Sequence, residues 1–275
     1  MDLDQHMSSK AVKLRKATSQ MMDSIEKDLL PYSEKAEFPP WLVGKIKELG
    51  ISGFSVKGYG SPELSTLESG ALCFEAARRD ASVGTFMIVH VGAGMALIEA
   101  LGNEEQKQRF LPKGASMEKI YAFALTEPDN GSDASGLKTT ARRTEGGWIL
   151  NGQKRWIGNA TMADVIVWAR NVDDGGRIQA FVVEKGSPGF DVAKMQGKMS
   201  LRMQQNGLIT MRDCFVPDHN KLALATDFAT GTVRILEASR MLVAWAAVGS
   251  AAGAYEAALR YTTQRVQFGK PLAKF

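Results

Sequence analysis

Two hydrophobic periodicities meet in this chain, and the places where one gives way to the other limit the folds open to it. Up to about Leu111, apolar residues recur at three- and four-residue spacings, as on one face of a helix. From Tyr121 to about Leu224 they come in short alternating or β-branched runs divided by Gly, Asn or Asp, and from Thr232 the helical spacing returns. The pattern predicts an α+β multidomain protein. An N-terminal helical domain spans 1–118, a middle antiparallel β-barrel or sandwich spans 119–228, and 229–275 starts a C-terminal helical bundle.

Helices are expected over 11–30, 41–49, 64–79 and 85–101, with Pro39-Pro40 opening the second and Gly50 capping its end. Gly102-Asn103 stops the fourth before "EEQKQRFL" starts another. "VGAGMALIEALG" lacks the third glycine and the preceding strand of a dinucleotide fingerprint, so its glycines are read as sites of close helix packing. "TTARRT", "GWILNG", "DVIVWAR", "IQAFVVE" and "NGLITMRDCFVP" are short and closely spaced, which favours a small antiparallel sheet over βαβ units. The last helix, rich in Ala and Gly on its packing side, runs into "FGKPLAKF" with no second helix beside it. A chain cut short, or one that depends on a partner chain, is therefore expected.

At 44% hydrophobic, 275 residues can bury a sizeable core, which argues against global disorder. Thirty-four basic and 30 acidic residues are interspersed, for a net charge of +4. No basic stripe points to nucleic acid, while a small anionic ligand stays compatible. Cys73 and Cys214 lie far apart, as do His6, His90 and His219, so neither a disulfide framework nor a metal site is expected, and a reducing compartment is. The first sixteen residues are polar, and no stretch reads as a membrane span. Asp2, Asp4 and Ser8 dilute any mitochondrial presequence, and "LAKF" is not a peroxisomal address.

Directly after the apolar run that starts at Tyr121 comes "LTEPDNGSD", residues 125–133. Pro128 and Asn130-Gly131 stop regular structure there, with Gly131 free to take positive φ. Such a turn aims backbone N–H groups and the hydroxyls of Thr126 and Ser132 at one ligand.

"EKAEFP", "KGYG", "FALTEPDNGSDASGL", "NGQKRWIGN", "LRMQQNG" and "RVQFGKPL", in that order, resemble the acyl-CoA dehydrogenase and acyl-CoA oxidase superfamily over nearly the whole chain. In flavour they look like plant-type peroxisomal short-chain acyl-CoA oxidases and glutaryl-CoA dehydrogenases. The resemblance implies FAD as cofactor and α,β-desaturation of an acyl-CoA to a trans-2-enoyl-CoA in fatty-acid β-oxidation. By the same analogy Phe123, Leu125 and Thr126 meet the isoalloxazine, and Gly131 and Ser132 offer donors to phosphates or to the acyl-CoA. Trp156, Ile157 and Gly158 form the second flavin stretch, in which an aromatic side chain lies along the ring. Arg265, Gln267 and Phe268 reach the FAD of a neighbouring subunit in a homo-oligomer. Glu237 and Arg240 sit near the acyl-CoA nucleotide.

Where many relatives carry Thr, this chain has Gly158. The missing hydroxyl is expected to leave room beside the ring and to favour an oxidase using molecular oxygen over a dehydrogenase passing electrons to an electron-transfer flavoprotein. The catalytic base is not found. Ser239 stands at one family position for the Glu, and the other is expected beyond Phe275. A truncated product of low activity, or a non-catalytic acyl-CoA or flavin-binding fragment, is the alternative expectation. Gly84 aligns where glutaryl-specific relatives place an Arg, so a neutral, short acyl-CoA is expected. The expected location is the peroxisome, with the mitochondrial matrix or a bacterial cytoplasm as alternatives.

Overall fold

The computed structural model describes residues 3–275, the side chains of Thr230 and Arg234 excepted. Helix α1 (Ser9–Lys35) is capped by the Ser8 hydroxyl, which accepts from Ala11 N. Ser8 N donates to Glu68 Oε1 at 2.8 Å, and Glu68 also closes a capping box with Ser65 at the start of α3 (Thr66–Arg79). One carboxylate thus ties together the starts of two helices. Burial pushes its pKa up, but hydrogen bonds from Ser8 and Ser65 outweigh this and hold it at about 2.

Between them, α2 (Trp41–Leu49) ends at Gly50 with φ of 62°. Helix α4 (Ala81–Met87) begins at Asp80, whose carboxylate accepts from Ser82 N and Val83 N, and so starts before the expected Thr85. It continues through a π-helical segment, Ile88–Met95, into α5 (Ala96–Leu101), and α6 (Glu104–Ala115) follows. The glycines of "VGAGM" serve close packing, as expected. A Cβ on Gly92 would lie 2.5 Å from Leu242 Cδ1, and one on Gly94 would lie 2.5 Å from Tyr121 Cβ.

The middle segment is one curled sheet of β1 (Tyr121–Ala124), β2 (Thr140–Thr144), β3 (Gly147–Ile157), β4 (Asp164–Asn171), β5 (Arg177–Val183), β6 (Phe190–Lys194) and β7 (Gly207–Pro217). Its order is β1-β4-β2-β3-β7-β6, with β5 also on β4. The expected all-antiparallel pairing fails at β4, which runs parallel to both β1 and β2. Connections longer than a hairpin loop, among them 125–139, free these strands from antiparallel neighbours. Val165, Val167 and Ala169 of β4 face the sheet's own core with Trp148 and Phe181, while Ile166 and Trp168 face the helices. Burial on both faces explains the unbroken apolar run "VIVWA".

Helix α7 (Phe228–Gln264) lies along α3, its small residues admitting the other backbone. A Cβ on Gly249 would strike Phe74 O and one on Gly253 would strike Arg78 O, while Trp245 fills the space over Gly70. Met241, Val243, Val248, Tyr255 and Leu259 are exposed on the same helix. Its end folds into a hairpin of β8 (Val266–Gln267) and β9 (Lys270–Pro271).

One expectation from composition needs correcting. Ala81–Leu101 and Gly231–Gln264 are both long and apolar enough to cross a membrane, with 78% and 22% of their apolar windows buried in the fold. In the first the large apolar residues supply the core between helices and sheet, and in the second frequent Ala raises the hydropathy without a long run of large side chains.

Candidate functional site

Strands β1 and β3 carry the two stretches singled out in the sequence, and their ends are fastened together. Arg155 N donates to Thr126 O at 2.8 Å. Fully buried, Lys154 Nζ donates to Leu125 O at 3.1 Å and to Glu127 Oε1 at 2.8 Å. Glu127 accepts further hydrogen bonds from Lys138 N, Thr139 N and Thr139 Oγ1. Burial pulls the Lys154 ammonium down to about 8, against the pull of Glu127. For Glu127, burial acts upward, but Lys154, Thr139 and Lys138 lower its pKa overall. Held as an anion by this many donors, Glu127 fixes the turn and is not free to move a proton.

Within the turn Leu125 is buried, Thr126 is half-buried, and Gly131 and Ser132 are exposed. Phe123, half-buried on β1, packs against the helical core. Gly131 does not adopt the positive φ expected of it. The reversal is made instead by Asn130 O accepting from Glu127 N and by the short turn Ala134–Gly136 after Asp133. Nothing lies within 4 Å of a Cβ placed on Gly131, so its surroundings are open to a ligand.

On β3 the register breaks between Lys154 and Ile157, and Trp156 sits in this irregularity at φ of 63°. The result is an indole 52% exposed, so Trp156 is not a core residue, whereas Ile157 beside it is buried. Asn206 Nδ2 holds Trp156 O at 3.0 Å, and the Arg155 guanidinium lies 5.4 Å from the indole centroid. A cleft of about 460 Å³ lined by Pro128, Gln153, Arg155, Lys194 and Met195 runs beside the turn, with two cations on its wall.

Gly158 departs from expectation. No room opens beside it: a Cβ there would lie 2.7 Å from Gln204 Nε2 and 3.0 Å from Val89 Cγ2. The volume given up by the glycine is taken by a buried glutamine from the loop between β6 and β7. Gly84 likewise packs on α3, with a Cβ there 2.9 Å from that of Ala77.

Among the described residues no hydrogen bond or ion pair joins Glu237, Arg240, Arg265, Gln267 or Phe268 to the 125–132 turn. Glu237 and Arg240 are exposed, and among the described residues no ion pair joins them. Ser239 Oγ donates to Leu236 O at 3.2 Å. Arg265, Gln267 and Phe268 lie on or beside the terminal hairpin, where Phe268 and Gly269 both take positive φ and Phe268 is 91% exposed. A hairpin, rather than a simple helix cap, presents these side chains outward.

Lys154, Asn206, Gln204 and Val89 shape the site without having been identified from the sequence. Lys154 in "NGQKRWIGN", and Gln204 and Asn206 in "LRMQQNG", lay within stretches that carried the resemblance, and Lys154 left a further signal as a Lys two residues before an aromatic on a strand whose alternate positions face inward.

Family models match the chain in three consecutive parts: the acyl-CoA dehydrogenase N-terminal domain over 10–118, the middle domain over 122–214 and the C-terminal domain over 230–275. An acyl-CoA dehydrogenase of Bacillus subtilis (strain 168) is 37% identical over 98% of this chain, which spans 72% of that protein. The mitochondrial isovaleryl-CoA dehydrogenase of Solanum tuberosum is 33% identical over 91% of the chain and is spanned to 63% of its length. A glutaryl-CoA dehydrogenase from Mycobacterium smegmatis, solved in complex with FADH2, superposes with a TM-score of 0.92 at 31% identity, over the whole of this chain and 70% of its own.

Proposed function

Because the chain belongs to the acyl-CoA dehydrogenase family, we propose that it takes part in the FAD-dependent α,β-desaturation of an acyl-CoA to a trans-2-enoyl-CoA. The observation that carries this reading is the fastening of the Leu125–Ser132 turn to the Trp156–Gly158 stretch through Lys154 and Arg155. A flat heterocycle with a phosphate tail fits what these residues present. They offer an exposed indole, an open glycine and an exposed Ser132, with Arg155 and Lys194 on the adjoining cleft. Asn130 Oδ1 and Gln204 Oε1, both buried, have no partner among the described residues, which suits a ligand that brings donors.

When bound, FAD supplies the acceptor for the hydride that leaves the β carbon of the acyl chain. Leu125 and Thr126 would hold the ring by backbone N–H and hydroxyl, Trp156 would offer it an aromatic contact, and Gly131 and Ser132 would bind phosphate. Glu237 and Arg240 serve the acyl-CoA nucleotide. No residue of this chain is assigned as the α-proton base, since Glu127 is committed to Lys154 and Thr139 and a Ser at 239 cannot act as one. The outward hairpin supports a homo-oligomer in which Arg265, Gln267 and Phe268 reach the FAD of a neighbouring copy.

For the acceptor of the electrons we favour an electron-transfer flavoprotein over molecular oxygen. With Gln204 and Val89 against Gly158, the steric ground for an oxygen channel is lost. The test is titration of the purified chain with FAD, followed by reduction of the bound flavin with dithionite without air. Flavin uptake supports the reading; bleaching that persists in air and is reversed by an electron-transfer flavoprotein supports this acceptor. A folded chain that takes up no flavin overturns the proposal, and rapid recolouring in air overturns the choice of acceptor.

A further inference from the structure

Gln204 is 1% exposed, and its amide is oriented from behind. Asn159 Nδ2 donates to Phe86 O at 3.2 Å, which leaves Asn159 Oδ1 to accept from Gln204 Nε2 at 2.9 Å. With the nitrogen so engaged, Gln204 Oε1 is left buried and without a partner among the described residues. The loop that carries it is tightly held. Lys198 Nζ donates to Leu201 O, Gln204 O and Asn206 Oδ1, and Asn206 Nδ2 donates in turn to Trp156 O. The loop thus grips the stretch that presents the exposed indole, and half-exposed Gly158 lies directly beside the Gln204 amide.

A buried amide oxygen without a donor loses its hydration and gains nothing in return, so a chain that fixes one so firmly beside the site leaves an acceptor for a partner to fill. We propose that Gln204 is a ligand-contacting residue whose carboxamide oxygen accepts a hydrogen bond from an N–H of the bound isoalloxazine. The inference rests on the FAD reading above. The oxidised ring carries a single N–H and reduction adds another, and the partner meant here is the added one, so an acceptor fixed at it favours the reduced cofactor. Gly158 is then the residue that admits the amide, since any β carbon there meets Gln204 Nε2.

The test compares the wild-type chain with Gln204→Leu and Gly158→Ala, each checked for fold by far-UV circular dichroism. Gln204→Leu deletes the acceptor; Gly158→Ala displaces the amide without removing it, and carries the test alone if the first variant does not fold. Affinities for oxidised and reduced FAD are measured by flavin fluorescence and absorbance, with the midpoint potential of the bound flavin. Both variants are expected to lose roughly five- to tenfold more affinity for reduced than for oxidised FAD, and to lower the midpoint potential accordingly. A wild-type chain that binds FAD, with variants that keep its affinity ratio and potential, overturns this proposal alone. A folded wild-type chain that binds no FAD overturns the flavin reading and this proposal with it.

Discussion

Lys154 Nζ and Glu127 Oε1 form a 2.8 Å ion pair with both side chains buried, and Lys154 also holds Leu125 O. The pair joins a strand end to the turn at the end of another strand, so it sets the distance between the two candidate ligand-binding stretches. The partners are unequal. Glu127 has Lys138 N, Thr139 N and Thr139 Oγ1 besides the lysine, whereas Lys154 has only one other acceptor, Leu125 O, among the described residues.

Glu127→Gln is therefore expected to be the costlier change. It strands an ammonium in the core, and such breaks cost about 3–5 kcal/mol. Lys154→Met leaves a carboxylate that is still hydrogen-bonded and should cost less, and the double variant should recover part of the loss of Glu127→Gln. Urea denaturation of the three variants measures the ranking. A Lys154→Met chain less stable than Glu127→Gln would contradict this account of which charge depends on which.

His90 provides the acid sensitivity of the core. Its Nδ1 accepts from Tyr121 N at 3.0 Å, and Nε2 lies 3.1 Å from Ser52 Oγ and 3.3 Å from Gly114 O. Burial pushes its pKa down to about 4, with the Gly114 bond acting the other way. Since the folded value lies below the unfolded one, the neutral ring favours folding. Its contribution is complete above about pH 6.5 and is lost as pH falls toward 4, amounting to about 3 kcal/mol. His90→Phe should flatten the stability curve between those pH values. Glu68, at about 2, begins to lose its own contribution as pH falls below about 5, so the effect of His90 is read between about pH 5 and 6.5.

The sequence reading reached furthest where neighbours in the chain are neighbours in space. The helix and strand blocks, the cap at Gly50 and the packing glycines of "VGAGM" follow from local pattern and turn chemistry. The π-helical segment did not, because Ile88–Met95 is apolar nearly all round and offers no period to read. Gly158 shows the limit most clearly. A glycine announces a missing side chain, and the space was expected to be empty. Gln204, whose amide bonds to Asn159 from 45 residues away, occupies it. The Lys154–Glu127 pair was hidden for the same reason, as was the parallel entry of β4 between β1 and β2.

Gly253→Ala distinguishes helix propensity from packing. In an isolated helix the substitution would stabilise by about 1 kcal/mol. Here the new methyl meets Arg78 O on the backbone of α3, which cannot turn aside as a side chain would. Overpacking of this kind costs about 1–3 kcal/mol, so the net effect should be destabilising. The displaced helix should also release Glu256 from Arg78 and Arg79, a minor loss because that carboxylate is partly exposed. Ala251→Ser, on the exposed face, serves as control and should change stability by less than about 0.5 kcal/mol. A rise in melting temperature for Gly253→Ala would mean that α7 does not lie as close to α3 as described.

Trp156 combines an exposed indole with a left-handed backbone, and the two properties predict opposite effects of one substitution. Trp156→Ala removes the aromatic face and should weaken FAD binding roughly three- to tenfold. Because so little of the ring supports the core, apo-protein stability should stay within about 0.5 kcal/mol. Trp156→Gly removes the same ring and also relieves the unfavourable φ, so it should bind FAD as poorly as the alanine variant while melting higher. A residue kept in this conformation for folding alone would give the reverse, with stability lost in both variants and flavin affinity unchanged. Melting curves of the apo-protein and FAD titrations on the same two variants therefore decide whether the irregularity in β3 exists to hold the fold or to aim the indole.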